Sequence, residues 1–367
     1  MAKKIRLVCT AAALVPLTVL AAACSSSSPS KGSGSSPNAA SASGKQITET
    51  GSTLLFPLFG AWQNAYSTAN PNITITSGST GSGTGIADAS QGLVNIGASD
   101  AYLSSSDIQS SPGLINIPLT VAALMINYNV PGVKKPLNLD GTVLAQIYKG
   151  KITNWNDPAI AKLNPGVSLP NLKIVTLHRA DGSGSTFLFT SYMNAQDATD
   201  WPSSDVNTTI TWPSVPGAAA ETGSGAMVTT CGSTKGCIAY IGISYLSKTQ
   251  PLGLGEASLA NKSGKTVQPT HSTIATALAS FDTNTPASGA QSLINTSAAG
   301  GYPIINYEYA MVKKSQPSAA EATALKAFLN WIVTTGNTST YLEPVNFEPL
   351  PAPALTVAKN LINSISG

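Results

Sequence analysis

Charge is what this chain has least of. Only 10% of its residues are Asp, Glu, Lys or Arg, against about 25% in typical globular chains. Its surface must therefore draw its polarity from Ser, Thr, Asn, Gln and Gly. Arginine is rarer still: Arg6 and Arg179 are the two in the chain, and every other strongly basic side chain is lysine. The formal charge of +3 is accounted for by Lys3, Lys4 and Arg6, so the chain beyond residue 23 carries no net formal charge. A neutral body with one arginine lacks the basic footprint of a nucleic-acid binder. The two histidines, His178 and His271, lie far apart in sequence, and no CxxC is present. That excludes the common zinc spacings and a thioredoxin-like redox motif. No Walker pattern GxxxxGK[ST] occurs, and no GxGxxG unit with a distal acid, which argues against nucleotide binding.

Long apolar runs are also scarce. The run Leu7–Leu20 is followed by Ala21, Ala22, Ala23 and Cys24. A basic start, a short apolar stretch and small residues are the anatomy of an export leader, and the run is too short and Ala-rich for a transmembrane span. Small residues before a cysteine match the bacterial lipobox, although Ala21 stands where leucine is usual. Residues 1–23 are thus expected to be a signal peptide and Cys24 the lipidated first mature residue. Residues 24–45 are a Ser/Gly/Pro tether that would hold a folded body off a membrane. Of the remaining cysteines, Cys9 leaves with the leader. Cys231 and Cys237 form an even pair in an exported chain, so a disulfide is expected.

The body is long enough for two domains and a substantial core. Strand and helix patterns alternate through it, which places it in the α/β class. Leu55, Leu58, Phe59, Trp62 and Tyr66 recur at helical spacing, with Ser52 or Thr53 placed to cap that helix and Pro57 in its first turn. Ile73–Thr76 alternates like a strand, and a helical run is expected from Ile86. Leu93–Gly97, Leu114–Asn127, Leu172–Leu177 and Ile238–Gly242 read as strands, a further strand region opens at Tyr302, and Ala319–Thr335 reads as a long helix. Trp155, Trp201 and Trp212 read as packing residues, and Asn306–Tyr309 as a crossing or a packed strand.

Three segments share one design: Gly51-Ser52-Thr53-Leu54, Thr80-Gly81-Ser82-Gly83 and Asp181-Gly182-Ser183-Gly184-Ser185. Each adjoins an expected helix start, offers hydroxyls, and has glycines that let backbone approach a ligand. One such turn is an ordinary loop. Three of them with a lone guanidinium, Arg179, suggest convergence on a small oxyanion. Asp181, two residues on, suits an Asx-turn or helix cap and can also orient Arg179. Asp100 is the odd member. A carboxylate in an anion site repels its guest unless the guest brings a proton, as phosphate does near neutrality and sulfate does not. Asp100 also suits a simple turn after its strand.

Taken together and in order, GSTLLFPLF, TGSGTGI, NIGASDAYLS, IYKGKITNWNDPAIAKLNPG and HRADGSGSTFLFTSY resemble the phosphate-binding lipoproteins of bacterial phosphate-specific ABC transporters. The resemblance is greatest to the actinobacterial type, and it runs on through CIAYIGISYL and GYPIINYEYAMV. It implies a two-lobed periplasmic-binding-protein fold of type II, with mixed sheets flanked by helices and a ligand cleft between the lobes. Lobe I would take residues 46–122 and 299–367, and lobe II residues 123–298. The phosphate contacts it implies are Ser52, Thr53, Leu54 through its backbone, Ser82, Asp100, Arg179, Ser183, Gly184 and Ser185. It further implies a monomeric, non-catalytic receptor on the outer face of the membrane, with ABC permease subunits as partners and neither cofactor nor metal. Two readings compete: a secreted phosphatase or serine hydrolase using Ser183, and a receptor for another oxyanion such as sulfate. Against the enzyme, Ser183 lies in DGSGS rather than GxSxG.

Overall fold

A computed structural model describes residues 45–281 and 285–367. The leader, Cys24 and the tether up to residue 44 lie outside the described residues. Eight strands form the path of the large sheet: β1 (Lys45–Gly51), β2 (Ile73–Thr76), β3 (Ile96–Ser99), β4 (Leu114–Tyr128), β5 (Val175–Arg179), β6 (Ala219–Glu221), β7 (Cys237–Gly242) and β8 (Ile305–Lys313). Their spatial order is β2-β1-β3-β8-β4-β7-β5-β6, and the short strand Gly255–Glu256 pairs off this path with the end of β4. The outer members at each end are parallel, β2-β1-β3 and β7-β5-β6, while β8 and β4 run antiparallel to their neighbours.

β4 is the spine. Its residues Leu114–Ala123 pair with β8, and Leu124–Tyr128 pair with β7. One 15-residue strand thus changes partner halfway along and joins two runs of sheet. It is almost wholly buried, as a strand covered on both faces must be, and its near-continuous apolar sequence follows from that. Five helices matter for the site: α1 (Phe56–Ala69), α2 (Ser82–Gln91), α3 (Gly184–Gln196), α4 (Gly223–Ser233) and α5 (Ala319–Val333). α1 buries Leu58, Phe59, Trp62 and Tyr66, the stripe its spacing predicts. Phe328 of α5 meets Phe59 and Tyr66 at ring-centroid distances of 5.8 and 4.8 Å.

The structure shifts four boundaries, and one of them is the strand expected at Leu93–Gly97, which runs over Ile96–Ser99. Ser52 does not open α1; its Oγ accepts the N–H of Leu55 at 2.9 Å and the helix begins at Phe56. α2 begins at Ser82, four residues before Ile86, once Gly81 has turned the chain at φ 93°. The strand expected at Leu172–Leu177 enters the sheet at Val175 and runs on to Arg179. Its first residues are engaged elsewhere, for Leu172 C=O accepts from Trp155 N–H at 2.9 Å and Ile174 N–H donates to Thr153 C=O at 2.8 Å. That shift sets Arg179 at the strand end. Trp155 and Trp201 are fully buried, as packing residues should be.

Cys231 and Cys237 form the expected disulfide, bridging the end of α4 to the start of β7. With a sequence separation of 6, chain entropy allows it to contribute about 2 kcal/mol.

Glu49 in β1 is a buried acid that makes no ion pair among the described residues. Burial pushes its carboxyl up to about 8 from an ordinary 4.5, partly offset by the N–H of Gly78. A carboxyl raised on folding keeps its proton in the native chain where the unfolded chain has lost it. Stability therefore falls as pH rises from 4.5 towards 8. Glu49→Gln is expected to raise unfolding stability by about 3 kcal/mol at pH 7, with the gain vanishing below pH 4.5. Denaturant unfolding of both proteins at several pH values checks this; a gap independent of pH would contradict it.

Candidate functional site

The three hydroxyl-rich turns meet. The first leaves β1 at Gly51, whose φ of 140° and contact with the Ala98 backbone leave no room for a side chain. Ser52 N–H then donates to Ala98 C=O at 2.9 Å, and its hydroxyl donates to Asp100 Oδ1. Thr53 Oγ1 lies 3.2 Å from Arg179 Nη1, which donates to it, and 2.7 Å from Ser224 Oγ. Leu54 is fixed through its carbonyl, which accepts the Ser244 hydroxyl at 2.7 Å.

The second turn places Ser82 at the start of α2, where its hydroxyl accepts Asp100 N–H at 3.3 Å. The third approaches it directly: Gly83 N–H donates to Gly182 C=O at 2.8 Å. Ser185, in the first turn of α3, donates its hydroxyl to Asp100 Oδ2 at 2.7 Å. Gly184 opens that helix, and a Cβ there would come within 2.7 Å of both Asp100 Cβ and Ser82 Oγ. Ser183 is placed differently. Its hydroxyl caps its own helix, accepting Thr186 N–H at 3.3 Å. The first amides of a helix have no carbonyl partner within it, so the starts of α2 and α3 bring a shared positive potential to this point.

Arg179 and Asp100 give the site its charges, and both are buried. Arg179 donates Nε to Asp181 Oδ1 at 2.6 Å and Nη2 to Asp181 Oδ2, a bidentate pair. Asp181 also accepts Gly223 N–H at 3.1 Å, so the start of α4 is tied to the same carboxylate. The backbone N–H of Arg179 donates to the Tyr240 hydroxyl at 2.8 Å. Burial pushes the Asp100 carboxyl above its usual range. The hydroxyls of Ser52 and Ser185 and the Arg179 guanidinium pull it back.

Of the residues expected from sequence, Ser52, Thr53, Ser82, Asp100, Arg179, Asp181, Gly184 and Ser185 are linked here by these bonds and contacts, whereas Leu54 bonds Ser244 and Ser183 caps its own helix. Several partners had no such reading. Glu308, read as packing, is fully buried beside Asp100, with Oε2 3.2 Å from Ser52 Oγ. Ser224 comes from the first turn of α4, 171 residues away from Thr53, and its Thr-Gly-Ser-Gly context was the one local signal available. His178 stacks on Trp212 at 4.9 Å between centroids, a packing role. Among the described residues no group of His, Cys, Asp and Glu is arranged to hold a metal ion.

A nine-stranded mixed sheet with a polar, buried site at its strand ends defines a substrate-binding protein of the PBP superfamily, and the model of that superfamily's domain matches residues 36–335. The chain is 30% identical over 317 residues to the phosphate-binding protein PstS of Xylella fastidiosa, covering 86% of this chain and 84% of that one. It is also 30% identical over 315 residues to PstS 3 of Mycobacterium leprae, covering 83% of each. Among solved structures it is similar to an ABC-type phosphate transport receptor from Vibrio cholerae, with a TM-score of 0.54 and 18% identity over 83% of this chain and 100% of that one. The chain belongs to the PstS family of phosphate-binding proteins, with relatives of the actinobacterial type among them.

Proposed function

We propose that this protein binds inorganic phosphate outside the cytoplasmic membrane and delivers it to the permease of an ABC importer. It is a receptor and not an enzyme, as its relatives are binding proteins. The observation that carries the reading is Asp100. It is buried and accepts hydroxyls from two different turns while Arg179 attracts it. An acceptor-only carboxylate at the meeting point of helix N-termini selects an oxyanion that carries its own proton.

In this reading Ser52, Thr53, the Leu54 backbone, Ser82, Asp100, Arg179, Ser183, Gly184 and Ser185 contact the phosphate, and Asp181 orients Arg179. Residues 46–122 with 299–367 form one lobe and 123–298 the other, closing over the anion by a hinge near the partner change in β4. The leader exports the chain, Cys24 carries the lipid, and the tether suspends a monomeric body above the membrane. The phosphatase reading has less support, since the Ser183 hydroxyl caps its helix and His178 packs on Trp212. Titration calorimetry with phosphate and sulfate, together with identification of the ion that co-purifies, tests the proposal. Phosphate should bind tightly and sulfate hardly at all; equal affinities would overturn it.

Gly184 tests the closed geometry. Alanine suits the first turn of a helix, yet its Cβ would press on Asp100 and Ser82. Overpacking of this kind costs about 1–3 kcal/mol, so Gly184→Ala should weaken phosphate binding by roughly 5- to 150-fold. A wild-type isotherm would mean that α3 and the Ser82 turn do not meet around the anion.

A further inference from the structure

We propose that Glu308 is a neutral acid in the native protein, and that its proton fixes the direction of the hydrogen bond through which Ser52 holds Asp100. The case begins with proton counting. A serine hydroxyl has one proton to donate and two lone pairs to accept with. Ser52 Oγ already accepts Leu55 N–H at 2.9 Å. It lies within bonding distance of two buried carboxyls, Asp100 Oδ1 and Glu308 Oε2. Its single proton cannot serve both. Were both acids ionised, one buried carboxylate would face a lone pair of the hydroxyl. With a proton on Glu308 every position is filled: Leu55 N–H and Glu308 O–H donate to Ser52, and Ser52 donates to Asp100.

The surroundings decide which acid keeps the proton. Asp100 has Ser185 and the Arg179 guanidinium to support its charge. Glu308 has the Asn306 amide, which donates to Oε1 at 2.9 Å, and it faces the charge of Asp100 itself. The other titratable groups around it are Tyr309 on its own strand and Tyr102 against Tyr309, both neutral phenols whose ionisation burial disfavours. Burial and Asp100 together push Glu308 well above the ordinary carboxyl range. The backbone supports the placement, for the β4–β8 register slips between Glu308 and Tyr309, where Glu308 pairs with Thr120 and Tyr309 with Pro118. A bulge of this kind re-aims a side chain, and proline supplies no ladder N–H there. The consequence for the ligand rests on the phosphate reading above. With Ser52 committed as a donor, Asp100 stays ionised and acceptor-only, which obliges the guest to bring a proton.

Infrared spectroscopy of the full chain, isotope-labelled at its glutamate carboxyls, reads the proton directly. A Glu49→Gln background removes another glutamate raised by burial, and comparison with Glu308→Gln cancels any contribution from Glu256. At neutral pH the spectrum should show a protonated-carboxyl band that Glu308→Gln abolishes. Glu308→Gln keeps a donor towards Ser52 and should hold phosphate affinity within about threefold, whereas Glu308→Leu should lose roughly tenfold or more. Absence of the band overturns the proposal, as does a Glu308→Gln protein that binds as weakly as Glu308→Leu. The band in a protein indifferent to phosphate would support the neutral acid and refute the function proposed above. If Glu308→Leu does not fold, the spectrum alone decides.

Discussion

Arg179→Lys is expected to weaken phosphate binding by roughly 30- to 1,000-fold, equivalent to about 2–4 kcal/mol. The guanidinium makes three hydrogen bonds from one buried position. Nε and Nη2 engage both oxygens of Asp181, and Nη1 reaches Thr53 Oγ1 at 3.2 Å. A lysine ammonium is a point charge without that planar fork. If it pairs with Asp181, it leaves Thr53 and the anion; if it turns to the anion, Asp181 is left partly unpaired in a buried place. Each choice costs a charge-assisted hydrogen bond. Because Asp181 also accepts Gly223 N–H at 3.1 Å, the α4 start should loosen as well. Titration calorimetry at fixed ionic strength measures the loss, and thermal unfolding without ligand separates it from damage to the fold. Near-wild-type affinity would remove Arg179 from the site.

Asp100→Asn is expected to reduce the preference for phosphate over sulfate by roughly a hundredfold or more. Two effects add. Phosphate loses an acceptor for its own proton, a charge-assisted bond of about 1.5–3 kcal/mol. Sulfate no longer meets a buried negative charge. An asparagine oxygen can still accept Ser52 or Ser185, but its NH₂ must then face the other hydroxyl as a donor. Phosphate affinity should therefore fall while sulfate affinity rises. Competition between the two anions in one titration gives the ratio directly. An unchanged ratio would assign the discrimination to other groups and leave Asp100 as a structural turn residue.

Both predictions depend on residues that stand out in the amino-acid sequence itself. Arg179 stood out because arginine is nearly absent, and Asp100 because an acid is out of place among anion-binding turns. The disulfide followed from an even pair of cysteines in an exported chain. The helical face of α1 followed from its periodicity. These are local or compositional properties, and short-range geometry fixes them. The helix starts were less legible. Ser52 lies one turn ahead of the α1 cap, and the Leu172 run lends its first half to the Trp155 loop. Competition between equally good local partners decides such cases.

By itself, the order of residues determined a chain with α/β periodicity, three donor-rich turns, one guanidinium, one misplaced acid and a cysteine pair. Tertiary structure alone decided that the turns face one another, that Thr53 meets Ser224, and that Glu308 sits against Ser52 across 256 positions of chain. The physical reason is topological. β4 changes partner from β8 to β7 between Ala123 and Leu124, and this brings remote strand ends to one point. A buried carboxyl and a packed one look alike along a strand, and only the neighbour across the sheet determines which holds the proton.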